Sequence, residues 1–230
     1  MWVIIGLSFL QVLLNRLLDG EVDPPKLNDV LLGMLGNQTL FMVIVPAMLL
    51  VRDFTQNTVR NKIICGHSRT NIYIAHLICF DAVALFYHYV ATLASFVFGA
   101  IILGGVDTIC HDFAAYYFIQ SNLTILAYSS MTVFVCMMIR GVSGVIIAYV
   151  INSLLSTFGA IAMMTIHNEK IMDLVYCSIL DMQSTAILEG MSQQEMPDTF
   201  LIYALPLCAL AYIISLPIIG IKMFKTTDLK

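Results

Sequence analysis

Residues 72–103 read IYIAHLICFDAVALFYHYVATLASFVFGAIIL, an apolar run in which Asp81 is the one carboxylate and no lysine or arginine occurs. The apolar residues are continuous rather than alternating, which predicts a helix instead of a strand. At 1.5 Å per residue a helix of this length reaches roughly 48 Å, against a hydrocarbon core of about 30 Å. The run is therefore long enough to cross a bilayer with its first turns outside, and Gly104-Gly105 end it at the far face. Within lipid the α-helix is the open-ended structure that satisfies every backbone N–H and C=O internally.

Five further runs of this kind flank it: Met1–Leu18, Leu31–Val51, Phe113–Ile139, Gly141–Ile166 and Thr199–Phe224. The composition agrees. Of 230 residues, 60% are hydrophobic and 11% charged, whereas soluble domains carry about 45–50% apolar and 25% charged residues. The predicted fold is all-α, a single polytopic membrane domain over residues 1–230 with six transmembrane helices. Met1–Leu18 is apolar from its first residue, with no basic flank or small-residue cleavage site, so it does not resemble a signal peptide. It has the look of a span entered partway, and a cytosolic lead-in ahead of it is expected.

Charge orients the helices. Segments 52–71 and 222–230 together with Arg140 carry Arg52, Arg60, Lys62, Arg69, Arg140, Lys222, Lys225 and Lys230, accompanied by Asp53 and Asp228. Segments 15–30, 104–112 and 167–198 hold only Arg16, Lys26 and Lys170 among many carboxylates. The positive-inside rule makes the first set cytoplasmic. Six spans then place both termini inside and make 167–198 an extracellular loop.

The connection between the second and third spans reads RDFTQNTVRNKIICGHSRTNIYI from Arg52 to Ile74. Asp53 with Gln56 three residues later predicts a capping-box start, and Gly66 predicts a left-handed stop, with a helix of about three turns between them. Ser68 or Thr70 is placed to cap the next helix. Val59 and Ile63 share one face of the short helix while Ile64 points elsewhere. Such a segment serves either as a basic loop held to anionic headgroups or as a docking helix that receives force from a soluble partner.

This run resembles ABC-2-type transporter permeases. Those proteins show an acidic residue, then a G-T-hydrophobic-(R/K)-N segment, then S-R-x-x-hydrophobic-(Y/F) leading into the third span. Here Asp53, Asn57-Thr58-Val59-Arg60-Asn61, Ser68-Arg69 and Ile72-Tyr73 match, with Asn57 where the family has glycine. The sharp likeness covers about residues 52–75; the six-span layout and the long outside segment extend it. It implies the membrane subunit of a bacterial exporter in the plasma membrane, itself not an enzyme. Residues 53–66 would be the coupling helix, with Asp53, Phe54, Thr58, Arg60, Asn61 and Lys62 contacting a separate P-loop ATPase. That partner would hold the ATP and Mg, and no cofactor is expected in this chain. A second permease subunit, identical or not, is implied, with the substrate path between the two. The family also begins with a cytosolic amphipathic helix, for which this sequence has no counterpart.

Other functions are constrained by what the chain contains. It has no G-x-x-x-x-G-K-[ST] loop, no basic tract suited to nucleic acid and no metal-ligand spacing among Cys65, Cys79, Cys110, Cys136, Cys177 and Cys208. A disulfide between Cys110 and Cys177 is compatible with their placement in outside loops. Gly141-Val-Ser143-Gly144 matches the G-x-S-G of rhomboid proteases, but the one histidine after it, His167, is about 36 Å away along a helix, so the nucleophile would lack its base. The motif is better read as a tight turn after Arg140 with small residues for close helix approach.

Asp81, His88 and Asn152 are polar groups within the spans and candidates for function. Asp81 is expected near the interface, and His76, His88, Gln120 and Asn152 are expected to hydrogen-bond between helices. Pro46, Pro206 and Pro217 can kink their helices. For residues 171–188 two arrangements stand: a surface loop with short helices, or helices dipping toward the membrane as the resemblance implies. A secondary transporter and a non-transporting structural or signalling subunit are the competing functions. The first needs carboxylates deep in the spans, and Asp81 is the single candidate in the predicted spans.

Overall fold

The computed structural model describes residues 6, 9, 10, 13, 47–103, 111–140, 142–166, 168–193 and 198–226. The first expected span apart from four positions, the second up to Pro46, Cys110 and His167 lie outside the described residues. All regular structure among the described residues is helical: α1 (47–55), α2 (Thr58–Ile64), α3 (Arg69–Leu103), α4 (His111–Ile139), α5 (Val142–Thr165), α6 (Glu169–Ser178), α7 (Leu180–Gln193) and α8 (Thr199–Thr226). Four of these are long and apolar enough to cross a membrane, at Arg69–Phe98, Ala115–Ile139, Val142–Thr165 and Thr199–Thr226. They coincide with the third to sixth predicted spans, and α8 continues through both Pro206 and Pro217.

Helix α4 is the axis of the bundle. Helices α3, α5, α7 and α8 all pack against it. Of its most apolar window 61% is buried, compared with 11% for α5 and 22% for α3 and α8. The residues explain this. Serine, threonine and alanine recur along its middle, and Ala127, Ser129, Ser130 and Thr132 are all buried. Their small side chains let neighbouring helices approach closely and lend hydroxyls to helix contacts. The outer helices instead turn large apolar side chains outward, among them Phe86 and Leu93 on α3, Phe158 and Met164 on α5, and Tyr203 and Leu207 on α8. A contiguous surface of this kind is stable against lipid and a liability in water.

Helices α3 and α4 run antiparallel in a register marked at three levels. Tyr73 clusters with Cys136 and Met137, Ala84 with Ile125, and the Tyr89 hydroxyl donates to Asn122 Oδ1 at 2.8 Å. Arg140, at φ 50°, makes the left-handed turn from α4 into α5. There Gly144 lies so close to α4 that an added Cβ would stand 3.2 Å from the Cys136 Cα. Ser143 is exposed in the first turn of α5.

The segment expected as an outside loop forms α6 and α7, which insert into the bundle. Asn168 caps α6 by accepting the Lys170 N–H at 3.2 Å, and extended Ile179 separates the two helices. Cys177, Leu180, Met182, Gln183 and Ile187 are buried. Tyr212 of α8 donates to the Ser178 carbonyl at 2.6 Å, and Met182 fills the space over Gly159 of α5. The segment therefore forms two short helices packed against α4, α5 and α8. Leu180, Met182 and Ile187 are buried against the neighbouring helices, while Ile171 and Leu174 stay exposed on α6. Cys177 is buried and makes no disulfide with a described cysteine; Cys110 lies outside the described residues.

Candidate functional site

Helix α1 runs past Asp53 and stops at Gln56-Asn57, where Asn57 takes the left-handed conformation at φ 55°. Asparagine is among the few residues that accept this region at low cost. The capping box expected at Asp53 and Gln56 is not formed. A helix already running needs no new start there, and α2 begins after Asn57, which makes no side-chain cap bond. The short helix is thus seven residues long rather than three turns. Its end matches the prediction: His67 N–H bonds to Lys62 O at 3.1 Å and Gly66 N–H to Ile63 O at 3.0 Å, around Gly66 at φ 92°. This is a Schellman close. Ser68 then caps α3 by accepting the Asn71 N–H at 3.2 Å.

The Asp53 carboxylate is the fastener of the corner. It accepts from Lys62 Nζ at 3.2 Å, and His76 Nε2 of α3 lies 3.0 Å from the same oxygen. His76 Nδ1 lies 2.7 Å from the Ile72 carbonyl. Burial works to raise the Asp53 carboxyl, but hydrogen bonds and charge from His76 and Lys62 outweigh it and hold it below the ordinary carboxylate value. Val59 is buried, and Phe54 and Ile63 pack on the same core cluster. One side of α2 is therefore locked to α1 and α3. The other side presents Arg60, Asn61 and Ile64, with Ile64 73% exposed. Of the six residues singled out by resemblance, Arg60 and Asn61 face outward, Thr58 is half-buried, and Asp53, Phe54 and Lys62 face the protein.

The corner is joined to the far end of the chain. Arg69 donates to the carbonyls of Phe224 and Lys225 at 3.1 and 3.0 Å. It thereby caps the C-terminus of α8, where unsatisfied carbonyls and the helix dipole favour a cation. Tyr73, wholly buried, sets its ring on Gly220, and Phe224 joins the same cluster as Val59 and Ile72. The described basic residues of 52–71, Arg140, Lys222 and Lys225 consequently gather at one end of the bundle, as the charge pattern predicts.

A second set of polar groups lies halfway along α4. Ser129 donates to Asp81 Oδ1 at 2.5 Å, which makes Asp81 an interhelical hydrogen-bond acceptor. Ser129 lies in the middle stretch of Ala115–Ile139, so Asp81 faces α4 within the bundle. On another side of α4, Asp181 of α7 accepts from Tyr128 at 3.2 Å and also from Ser156 of α5. Sequence reading placed Asp181 in an acidic outside loop; its immediate neighbours Leu180 and Met182 were the signal for burial. Gln183 donates to the Cys177 carbonyl at 2.8 Å and accepts from Thr124, which also receives the Gln120 amide. His88 is buried beside Tyr89. Asn152 is half-buried with no hydrogen bond to another described residue, contrary to the cross-helix bond expected of it; its stretch of α5 faces outward. Among the described residues no cluster of His, Cys, Asp or Glu fits a metal ion.

No family profile, curated protein or solved structure matches this chain.

Proposed function

We propose that the chain is the membrane permease subunit of an ABC-2-type exporter, driven by ATP that a separate subunit hydrolyses with Mg. The observation that carries this reading is the corner at 53–66: a two-turn helix fastened on one side and presenting Arg60, Asn61 and Ile64 on the other. A basic loop that only touches headgroups needs no such rigidity. A docking helix does, because a push on α2 is useful only if it reaches the spans. Here Asp53 and His76 pass it to α3, and Arg69 and Tyr73 pass it on to α8. In this reading the basic end is cytoplasmic by the positive-inside rule. Six spans place both termini there, a second permease subunit completes the path, and α6 and α7 close it from the other side of the plasma membrane.

Purification from the native membrane tests the proposal. A P-loop ATPase is expected to copurify and to be lost on Arg60→Glu, an exposed substitution that leaves the Asp53–Lys62 pair intact. Transport by the purified chain with no nucleotide-binding partner would overturn it.

Asp81 and Asp181 favour a second reading, a secondary transporter, since intramembrane carboxylates are the usual means of coupling to ions. Vesicles holding this chain alone separate the two. Uptake driven by a proton or cation gradient, and abolished by Asp81→Asn or Asp181→Asn, would replace the exporter.

A further inference from the structure

A groove of about 480 Å³ opens beside the corner, between the end of α1, α2 and the first third of α3. It is within the size range of ligand sites. Its lining changes character along α3. Arg52, Asp53, Lys62 and His76 surround one end, while Leu49 and Val83 belong to the apolar remainder. From His76 to Val83 the helix rises about 10 Å, the distance from the headgroup region into the upper hydrocarbon layer. The polar end stands level with the other basic residues of the bundle. Two cations face one carboxylate there, so the end favours a single negative charge. Arg52 is exposed and makes no ion pair among the described residues, whereas Lys62 is held on Asp53.

We propose that this groove binds one phospholipid with an anionic headgroup, its phosphate against Arg52 and Lys62 and an acyl chain along Cys79 and Val83. Polar at the headgroup level and apolar below, the site has the two-part chemistry of a lipid and not of a free anion or a peptide. The leaflet that the basic end would face is the one rich in anionic lipid. A lipid seated there touches both partners of the Asp53–His76 tie, so its occupancy would stiffen the corner. The proposal is independent of whether an ATPase docks on α2.

The full-length protein, delipidated in detergent, is titrated with palmitoyl-oleoyl phosphatidylglycerol or palmitoyl-oleoyl phosphatidylcholine and followed by native mass spectrometry. One phosphatidylglycerol is expected to be retained in preference to phosphatidylcholine. Arg52→Gln should weaken it about fivefold, from roughly 1 kcal/mol per basic residue near an anionic lipid. Cys79→Trp, which fills the apolar part, should remove it, while Ile78→Trp on the neighbouring exposed face should not. Equal retention of the two lipids, or equal behaviour of the two tryptophan variants, would overturn the proposal. Displacement by glycerol 3-phosphate at the same concentration would do so too, since it would show a plain anion site. Should Cys79→Trp fail to fold, the Arg52→Gln shift decides by itself.

Discussion

Gly220 is where one added methyl group tests the packing of the basic end. A Cβ built there would overlap Tyr73 Oη and stand 2.7 Å from Cζ and 2.9 Å from Cε2. Tyr73 is fully buried against Phe224, with ring centroids 6.4 Å apart, and a rigid ring cannot fold away from the intrusion. Overpacking of a filled core costs about 1–3 kcal/mol, and contacts this short place Gly220→Ala toward the upper end. Alanine returns about 1 kcal/mol through its better helix propensity. The expected net loss is about 1–2 kcal/mol, or a fall of about 3–6 °C in melting temperature for a chain of this size. Gly159→Ala meets Met182 at 2.7–2.9 Å, a similar intrusion, but methionine has rotatable bonds through which to yield, so its loss should be smaller.

Tyr73→Phe provides the internal check. The hydroxyl is buried with no hydrogen-bond partner among the described residues, so its removal should leave stability unchanged or slightly higher. It also deletes the atom nearest the new methyl, so Gly220→Ala should cost less in the Tyr73→Phe background than alone. Thermal melts of the four proteins in one detergent form a double-mutant cycle. Equal losses from Gly220→Ala in both backgrounds would show that the ring does not rest on Gly220.

Asp181→Leu should lower stability by about 1–3 kcal/mol, because it strands the buried Tyr128 hydroxyl and the half-buried Ser156 hydroxyl, and Asp181→Asn should lower it less; melts of the two variants check this. The Asp53 carboxyl titrates below its usual 3.8, so its contribution is complete above that pH and is lost as pH falls through the lower folded value. Amide exchange of α2, corrected for its intrinsic pH dependence, should therefore rise below about pH 4, and Asp53→Asn should show raised exchange already at neutral pH.

Much of the basic end was legible in local chemistry. Gly66 closes α2, Ser68 opens α3, and Arg140 turns the chain because each acts on backbone within a few residues of itself. Asn57 is the instructive failure: its tolerance of a left-handed turn was readable, but that α1 would run on to it past Asp53 was not. That depends on Asp53 finding Lys62 and His76, the latter 23 positions away.

The sequence by itself determined four helices long and apolar enough to cross a bilayer and the gathering of basic residues at one end. These depend on sums over neighbouring residues, and hydrophobic free energy adds along a window without reference to the rest of the chain. Only the tertiary structure decided that α4 is the axis of the described helices, that Arg69 caps α8 through carbonyls 155 and 156 residues later, and that Asp181 packs between helices. A carboxylate in an acidic loop and one held by two hydroxyls between spans have the same composition around them. What separates them is desolvation offset by hydrogen bonds from distant segments, and that is a property of the packed bundle alone.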